Sequence, residues 1–286
     1  MRPRSVRQTS PATILPPFLH RGAKFHSWSK LHTGLSKLRY LFSMANSAPI
    51  KHQPRPMPEA EEVYRRWLEF LDEEFNRHQS ADRRADIVRE QLAQLYLGKP
   101  LGVKSGVPLT SELAGHVLAL SLDPRNITLE AEHYTDIDQD RYARLKPLLW
   151  FWQMFDRSSL GLNHWLGIRF RCMLGRHIFE HLGSGVKIHH GVNFAYGYNL
   201  WIGDSVVIRQ QAMLQDRGGI RIGDHAQIGS FARIYSHVHQ FEQHDQVRLE
   251  TTVIGEHARI ASHAIVLAGQ HVAPGETVGH YPGDSQ

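Results

Sequence analysis

Two histidines, His237 and His239, lie two residues apart in the C-terminal part of the chain. Imidazole changes charge near neutral pH, which suits it to take a proton from a reacting hydroxyl. The same pair, with His244, His257 and His263, offers ligands for a metal ion. The chain holds 20 histidines, so residue type alone selects none of them. Its one cysteine, Cys172, excludes an internal disulfide and a cysteine-built zinc site. Cys172 sits among apolar neighbours, which reads as a buried, inert thiol rather than a nucleophile.

The elements that must position the pair have a period of six. Aliphatic residues return at Ile222, Ile228 and Ile234, and nine hexads align from Ile202, Ile208, Leu214, Ile222, Ile228, Ile254, Ile260, Val266 and Val272. This period fits neither an amphipathic helix nor an alternating strand; it marks a hexapeptide β-helix. The fold expected is a left-handed parallel β-helix, mostly β, preceded by a small helical region and a disordered tail. Fifth positions, inward near a corner, are small: Val206, Ala212, Gly218, Ala226, Ala232, Ala258 and Ala264. The last two are Gln270 and Glu276, which predicts a degraded final coil or a shifted register. Glycine at second positions (Gly203, Gly223, Gly229, Gly255) suggests sharp turns there. Residues 186–197 read as an irregular first coil, Ile220 and Arg221 as a two-residue insertion, and 240–253 as a polar loop excluded from the prism. The histidine pair stands where the ladder stops and that loop begins.

Three segments follow: 1–57 as disordered tail and linker, 58–181 as a helical region and cap, and 182–286 as the β-helix. Residues 1–58 contain ten Lys or Arg and no acid, leaving 23 basic and 28 acidic side chains in the remainder. The overall net charge of +5 therefore belongs to the tail and does not argue for nucleic-acid binding by the folded part. Residues 1–43 resemble an organelle transit peptide in composition. The alternative, preferred, is a wrongly extended frame with Met44 as the start and a cytoplasmic protein.

Helical spacing puts Val63, Trp67, Phe70 and Leu71 on one face; Ser80 starts a second helix that stops at Gly98; a third runs over 111–122. Residues 148–182 mix apolar side chains with Arg169, Arg171 and Arg176. Such a segment can lie on an anionic membrane surface. The reading preferred is a helical cap over the open end of the β-helix. No apolar run approaches the ~18 residues needed to cross a bilayer.

With these motifs in place, residues 182–279 resemble the hexapeptide-repeat acyltransferases, closest to the galactoside, maltose and nodulation-type O-acetyltransferases. The matching stretches are 214–224, 234–239 with the loop that follows, and 260–264. The resemblance implies acetyl-CoA bound between β-helices of a homotrimer and acyl transfer to a hydroxyl of a sugar-like or other small acceptor, with no metal. It places the general base at His239, with His237 as alternative, and the oxyanion donor at the backbone amide of Ser262. It puts Asp216 near the acceptor, with Gln211 where sugar enzymes carry Asn. Arg233, Arg259, Ser262, Ala268 and Gly269 would meet the donor. No lysine follows Lys187, so a weakened or lost donor site is expected. A non-catalytic scaffold is thus one alternative. A zinc enzyme resembling γ-class carbonic anhydrases is another, although that family pairs histidines five apart and His257 and His263 are six apart.

Overall fold

The aliphatic ladders stack on the inside of a three-sided parallel coil of about five turns, as this computed structural model of the protein shows. One side consists of β1 (His181–Leu182), β4 (Leu200–Ile202), β7 (Ile220–Ile222), β12 (Thr252–Ile254) and β15 (His271–Val272). The second contains β2 (Lys187–Ile188), β5 (Val207–Ile208), β8 (Gln227–Ile228), β13 (Arg259–Ile260) and β16 (Thr277–Val278). The third contains β3 (Asn193–Phe194), β6 (Met213–Gln215), β9 (Arg233–Tyr235) and β14 (Ile265–Val266). Described residues are 54–99, 113–239 and 247–280. The expected tail over 1–53 and half of the excluded loop, 240–246, lie outside them.

Register follows the hexads. Ile202 pairs with Ile222, Ile208 with Ile228 and Leu214 with Ile234. The first coil keeps the six-residue spacing along its strands, Leu182, Ile188 and Phe194 pairing with Ile202, Ile208 and Leu214, and is irregular only after Phe194. The hexad-initial residues are essentially solvent-free, as are the fifth-position Val206, Ala212, Ala226, Ala232 and Ala258. Each buried aliphatic side chain contributes roughly 1.5–3 kcal/mol, so the ladder supplies the main driving force for the coil.

The sharp turning falls at the fourth position, not the second. Ser205, Gln211, His225, Phe231, His257 and His263 all have φ between 55° and 64°. This left-handed backbone is costly for a side chain, and here stacking along the corner offsets it. His225 lies on His257 at 4.8 Å, and Phe231 on His263 at 5.0 Å, each pair within 6° of parallel. Second-position glycines answer to close approach instead, since a Cβ at Gly229 would collide with the Ser262 amide of the next coil.

The polar fifth positions of the last hexads are caps. Gln270 Oε1 accepts the Leu267 N–H at 2.7 Å, and Glu276 Oε2 accepts the Ala273 N–H at 2.7 Å. In lower coils the corresponding N–H groups donate to the next coil, as Gly255 does to the Val272 carbonyl. The register therefore holds to Val278, which pairs with Ile260, and the two polar side chains satisfy an exposed sheet edge.

Among the described residues, five α-helices precede the coil: α1 (Pro58–Arg77), α2 (Ala81–Leu97), α3 (Leu113–Ser121), α4 (Gln139–Arg157) and α5 (His164–Ile178). Ser80 caps α2 through the Arg83 N–H, and Gly98 ends it in the left-handed conformation at φ 65°. On α1 the buried side is Leu71 and Phe75 with Trp67 half-buried, while Val63 and Phe70 face solvent. A 3.6-residue period running through Trp67, Leu71 and Phe75 leaves those two outside the stripe. Trp67 stacks on Phe170 and donates to Gln91, which makes it core rather than a ligand platform. Helix α3 buries nothing among the described residues, so its Leu113, Val117, Leu118 and Leu120 are not the packed stripe the sequence suggests.

Helices α4 and α5 join the layer to the first coil. Trp152 meets Phe194 edge-on at 5.0 Å and donates to the Val192 carbonyl. Buried Arg171 pairs with Asp156 and donates to the Gly161 carbonyl, while the second Asp156 oxygen takes the Gly191 N–H. Arg171 is thus withheld from any membrane surface. Cys172 donates to the Val186 carbonyl, and burial pushes its thiol pKa up. Among the described residues, no helix is long and apolar enough to cross a membrane.

Candidate functional site

Departures from the hexad count collect at one corner, between the third and first sides. From Phe194 to Ile202, and again from Leu214 to Ile222, the chain takes eight residues instead of six. The two-residue insertion noted in sequence therefore recurs one coil lower. In the next coil this corner gives rise to an antiparallel hairpin of β10 (His237–His239) and β11 (Val247–Leu249), with His237 opposite Leu249 and His239 opposite Val247.

The buried polar residues of the coil gather at the root of this hairpin. Asp216, Ser236 and Thr252 are fully buried, and Arg217 nearly so. Ser236 Oγ donates to the Gln215 carbonyl at 2.6 Å and accepts the Gly218 N–H at 2.9 Å. Thr252 Oγ1 donates to the Tyr235 carbonyl at 2.6 Å and accepts the Gly269 N–H at 3.1 Å. These hydroxyls replace ladder hydrogen bonds lost where the chain leaves the prism.

Asp216 completes the corner from inside. Its carboxylate accepts the N–H groups of Ala195, Tyr196 and Asn199. Burial pushes its pKa up to about 6 against the opposing pull of those N–H bonds. The acceptor role expected for Asp216 does not fit this placement, since its side chain is enclosed and both oxygens are engaged.

The histidines differ in environment. Their rings stand edge to face, 5.2 Å apart at 85°. His239 is exposed; His237 is half-buried, and its Nδ1 is buried without a hydrogen-bond partner among the described residues. Burial, then Arg217, then His239 hold the His237 pKa down at about 4. His237 is therefore neutral near pH 7 and less accessible than His239. Arg217 reaches this point from the corner, bonded to Asp136 of the helical layer and lying 4.1 Å above the Tyr134 ring. Tyr196 donates to the same Asp136 at 3.0 Å.

The remaining expected residues divide among different parts of the prism. Gln211 and Arg233 come together along the third side, lining a groove of ≈ 380 Å³ with Met213, Phe231, His263 and Ile265. Arg233 has no acidic partner among the described residues. Ser262, beside His263 at the same corner, is exposed, and its N–H meets no acceptor among the described residues. Arg259 lies on the second side, away from that groove, because β13 belongs to a different sheet. Ala268 and Gly269 lie at the hairpin corner, where Gly269 has φ 75° and a Cβ would meet the Glu250 carboxylate. Arg248 pairs with Glu250 at 2.6 Å. Across the third side, Gln211, Phe231 and His263 mark one edge and the hairpin the other, with Arg233–Tyr235 between them, roughly 10 Å of strand.

Among the described residues no three metal-ligating side chains converge. His257 and His263 belong to different corner stacks. Sequence reading missed Arg217, Tyr134 and Asp136. The only local signal was the charged residue at a glycine-rich break, Arg217 before Gly218 and Gly219; the other two come from a segment 81 residues away in the case of Asp136.

No protein-family model and no curated protein matches the chain. Among solved structures, a hexapeptide-repeat-containing acetyltransferase of Vibrio cholerae, complexed with acetyl-coenzyme A, is 21% identical over 56% of this chain and 94% of its own, with a TM-score of 0.42. A maltose O-acetyltransferase from Clostridium difficile is 18% identical over 51% of this chain and 80% of its own, with a TM-score of 0.41. A galactoside acetyltransferase in complex with coenzyme A is 18% identical over 51% and 82%, with a TM-score of 0.36. The likeness is one of fold: the hexapeptide-repeat β-helix that this chain's own register displays.

Proposed function

We propose that this chain is an acetyl-CoA-dependent O-acyltransferase that uses His239 as general base toward a small hydroxylated, sugar-like acceptor. The observation that carries the reading is the contrast within the histidine pair. His239 is exposed at the strand that leaves the prism, while His237 is half-buried and its depressed pKa makes it a weak base. In the reaction, His239 takes the acceptor O–H proton as the oxygen attacks the thioester carbonyl. The tetrahedral oxyanion needs a fixed N–H donor, and the open amide of Ser262 supplies one. Collapse breaks the C–S bond, and the thiolate leaves as a thiol with the proton from His239.

Arg233 and the groove beside it suit the phosphate-bearing donor, since a cation without an acidic partner is available there. The donor groove and the hairpin lie on opposite edges of one side, which supports a homotrimer in which neighbouring prisms complete each site. A single thiol, Cys172, accords with the reducing cytoplasm.

The test follows coenzyme A release from acetyl-CoA with a panel of hydroxylated acceptors. His239→Ala should lose about 100-fold or more of the wild-type rate. An undiminished rate in that variant sinks the assignment of the base. Calorimetric titration with coenzyme A separates this reading from a non-catalytic scaffold, which would bind none.

A further inference from the structure

Basic side chains gather where α5 meets the second side of the prism. Residues along a strand alternate inward and outward, so buried Ile188 and Ile208 turn Lys187, His189 and Arg209 outward. The ladder stacks them: the His189 N–H donates to the Ile208 carbonyl, which sets His189 beside Arg209 of the next coil. His164, the first residue of α5, closes the group from the helical layer, its ring 5.2 Å from that of His189. One helix and two coils thus bring these side chains to one point.

The charge there is not balanced from within. Among the described residues, neither Lys187 nor Arg209 has an acidic partner. Asp156, at the end of α4, is committed to Arg171 and to the Gly191 N–H. The first turn of α5 carries no acid, so the positive end of that helix adds to the field. Burial, then His164, Arg209, Arg171 and Lys187 hold the His189 pKa down at about 4, every charged neighbour acting in the same direction. Cations held this close bear a repulsion that an anion from solution relieves.

Arg209 presents a fork of N–H donors and Lys187 a mobile point charge, a combination suited to a doubly charged phosphate. We propose that His164, Lys187, His189 and Arg209 form a binding site for a phosphate monoester, carried by a soluble molecule or by a lipid headgroup. Leu162, 72% exposed at the end of the Ser159–Leu162 turn, stands two residues before His164 and would meet the apolar layer in the lipid case. The site faces out from the second side, whereas Arg233 and its groove belong to the third, so it is additional to the donor site. It does not rest on the acyl-transfer reading.

The experiment is calorimetric titration of the full chain with glycerol 3-phosphate and with glycerol as the uncharged comparison. Beside it, the chain is sedimented with phosphatidylcholine vesicles that contain either phosphatidic acid, a monoester, or phosphatidylglycerol, a diester. Binding of glycerol 3-phosphate identifies a soluble source; sedimentation with phosphatidic acid vesicles alone identifies the lipid. Lys187→Gln and Arg209→Gln, both at exposed positions, should each weaken that binding about tenfold, the loss of one charge-assisted hydrogen bond. Coenzyme A carries a phosphate monoester of its own, and its binding should be unchanged in both variants. The inference is overturned if neither glycerol 3-phosphate nor phosphatidic acid binds, if glycerol or phosphatidylglycerol binds equally well, or if both variants bind as wild type does. It is also overturned if Arg209→Gln loses coenzyme A binding, which would make this the donor's own site. Phosphate binding without any acetyl transfer leaves the site standing and removes the acyltransferase reading instead.

Discussion

Arg217 of the coil and Asp136 of the helical layer form a salt bridge directly beside His237. Burial raises the Asp136 pKa, but the hydrogen bonds from Arg217 and Tyr196 outweigh it and hold the carboxyl below its usual range. The pair therefore links the two halves of the chain at the root of the histidine hairpin.

Replacing Asp136 by Asn leaves a nearly buried guanidinium without its counter-charge. Breaking such a pair costs about 3 kcal/mol, so Asp136→Asn should lower the midpoint of denaturant unfolding accordingly. Asp136→Leu combined with Arg217→Met removes both charges and should recover much of that loss. A single variant as stable as wild type contradicts the linking role.

The depressed pKa of His237 makes an acid-side prediction. Its folded value of about 4 lies below the ordinary 6.5, so protonation favours the unfolded chain. The stability it contributes is fully present above pH 6.5 and is lost as pH falls toward 4. His237→Gln should flatten that limb in thermal unfolding followed across the same window. An unchanged slope shows that His237 does not titrate abnormally.

Asp216 makes the opposite prediction. Its folded pKa of about 6 lies above the ordinary 3.8, so its contribution is fully present below pH 3.8 and is lost as pH rises through 6. Measured against Asp216→Asn, the wild type should lose on the order of 2 to 3 kcal/mol between those limits. Parallel stability profiles for the two proteins refute the shift.

The end caps are testable by deletion. Gln270→Ala and Glu276→Ala each free one backbone N–H at the last coil, at a cost of about 1 kcal/mol. Hydrogen exchange at the amides of Leu267 and Ala273 should quicken in the matching variant only. Exchange that is insensitive to either change argues against capping.

The six-residue ladder needed no tertiary information, because each hexad-initial side chain must face inward whatever the neighbouring coils contribute. Its register was readable from Ile202 to Val272, and the helix limits at Ser80 and Gly98 from local backbone chemistry. The histidine pair was legible as a break in that period. What made His237 and His239 unlike each other was not, since the difference depends on Arg217, Asp136 and burial. The same holds for Asp216, whose type suggests a surface acid but whose oxygens are taken by amides one coil below. Gln270 and Glu276 look like errors in the repeat until their bonds to the Leu267 and Ala273 N–H groups are seen. The cluster of His164, Lys187, His189 and Arg209 has no sequence signature, because its members come from segments that only folding brings together. Local periodicity determined the prism; contacts between distant segments decided its chemistry.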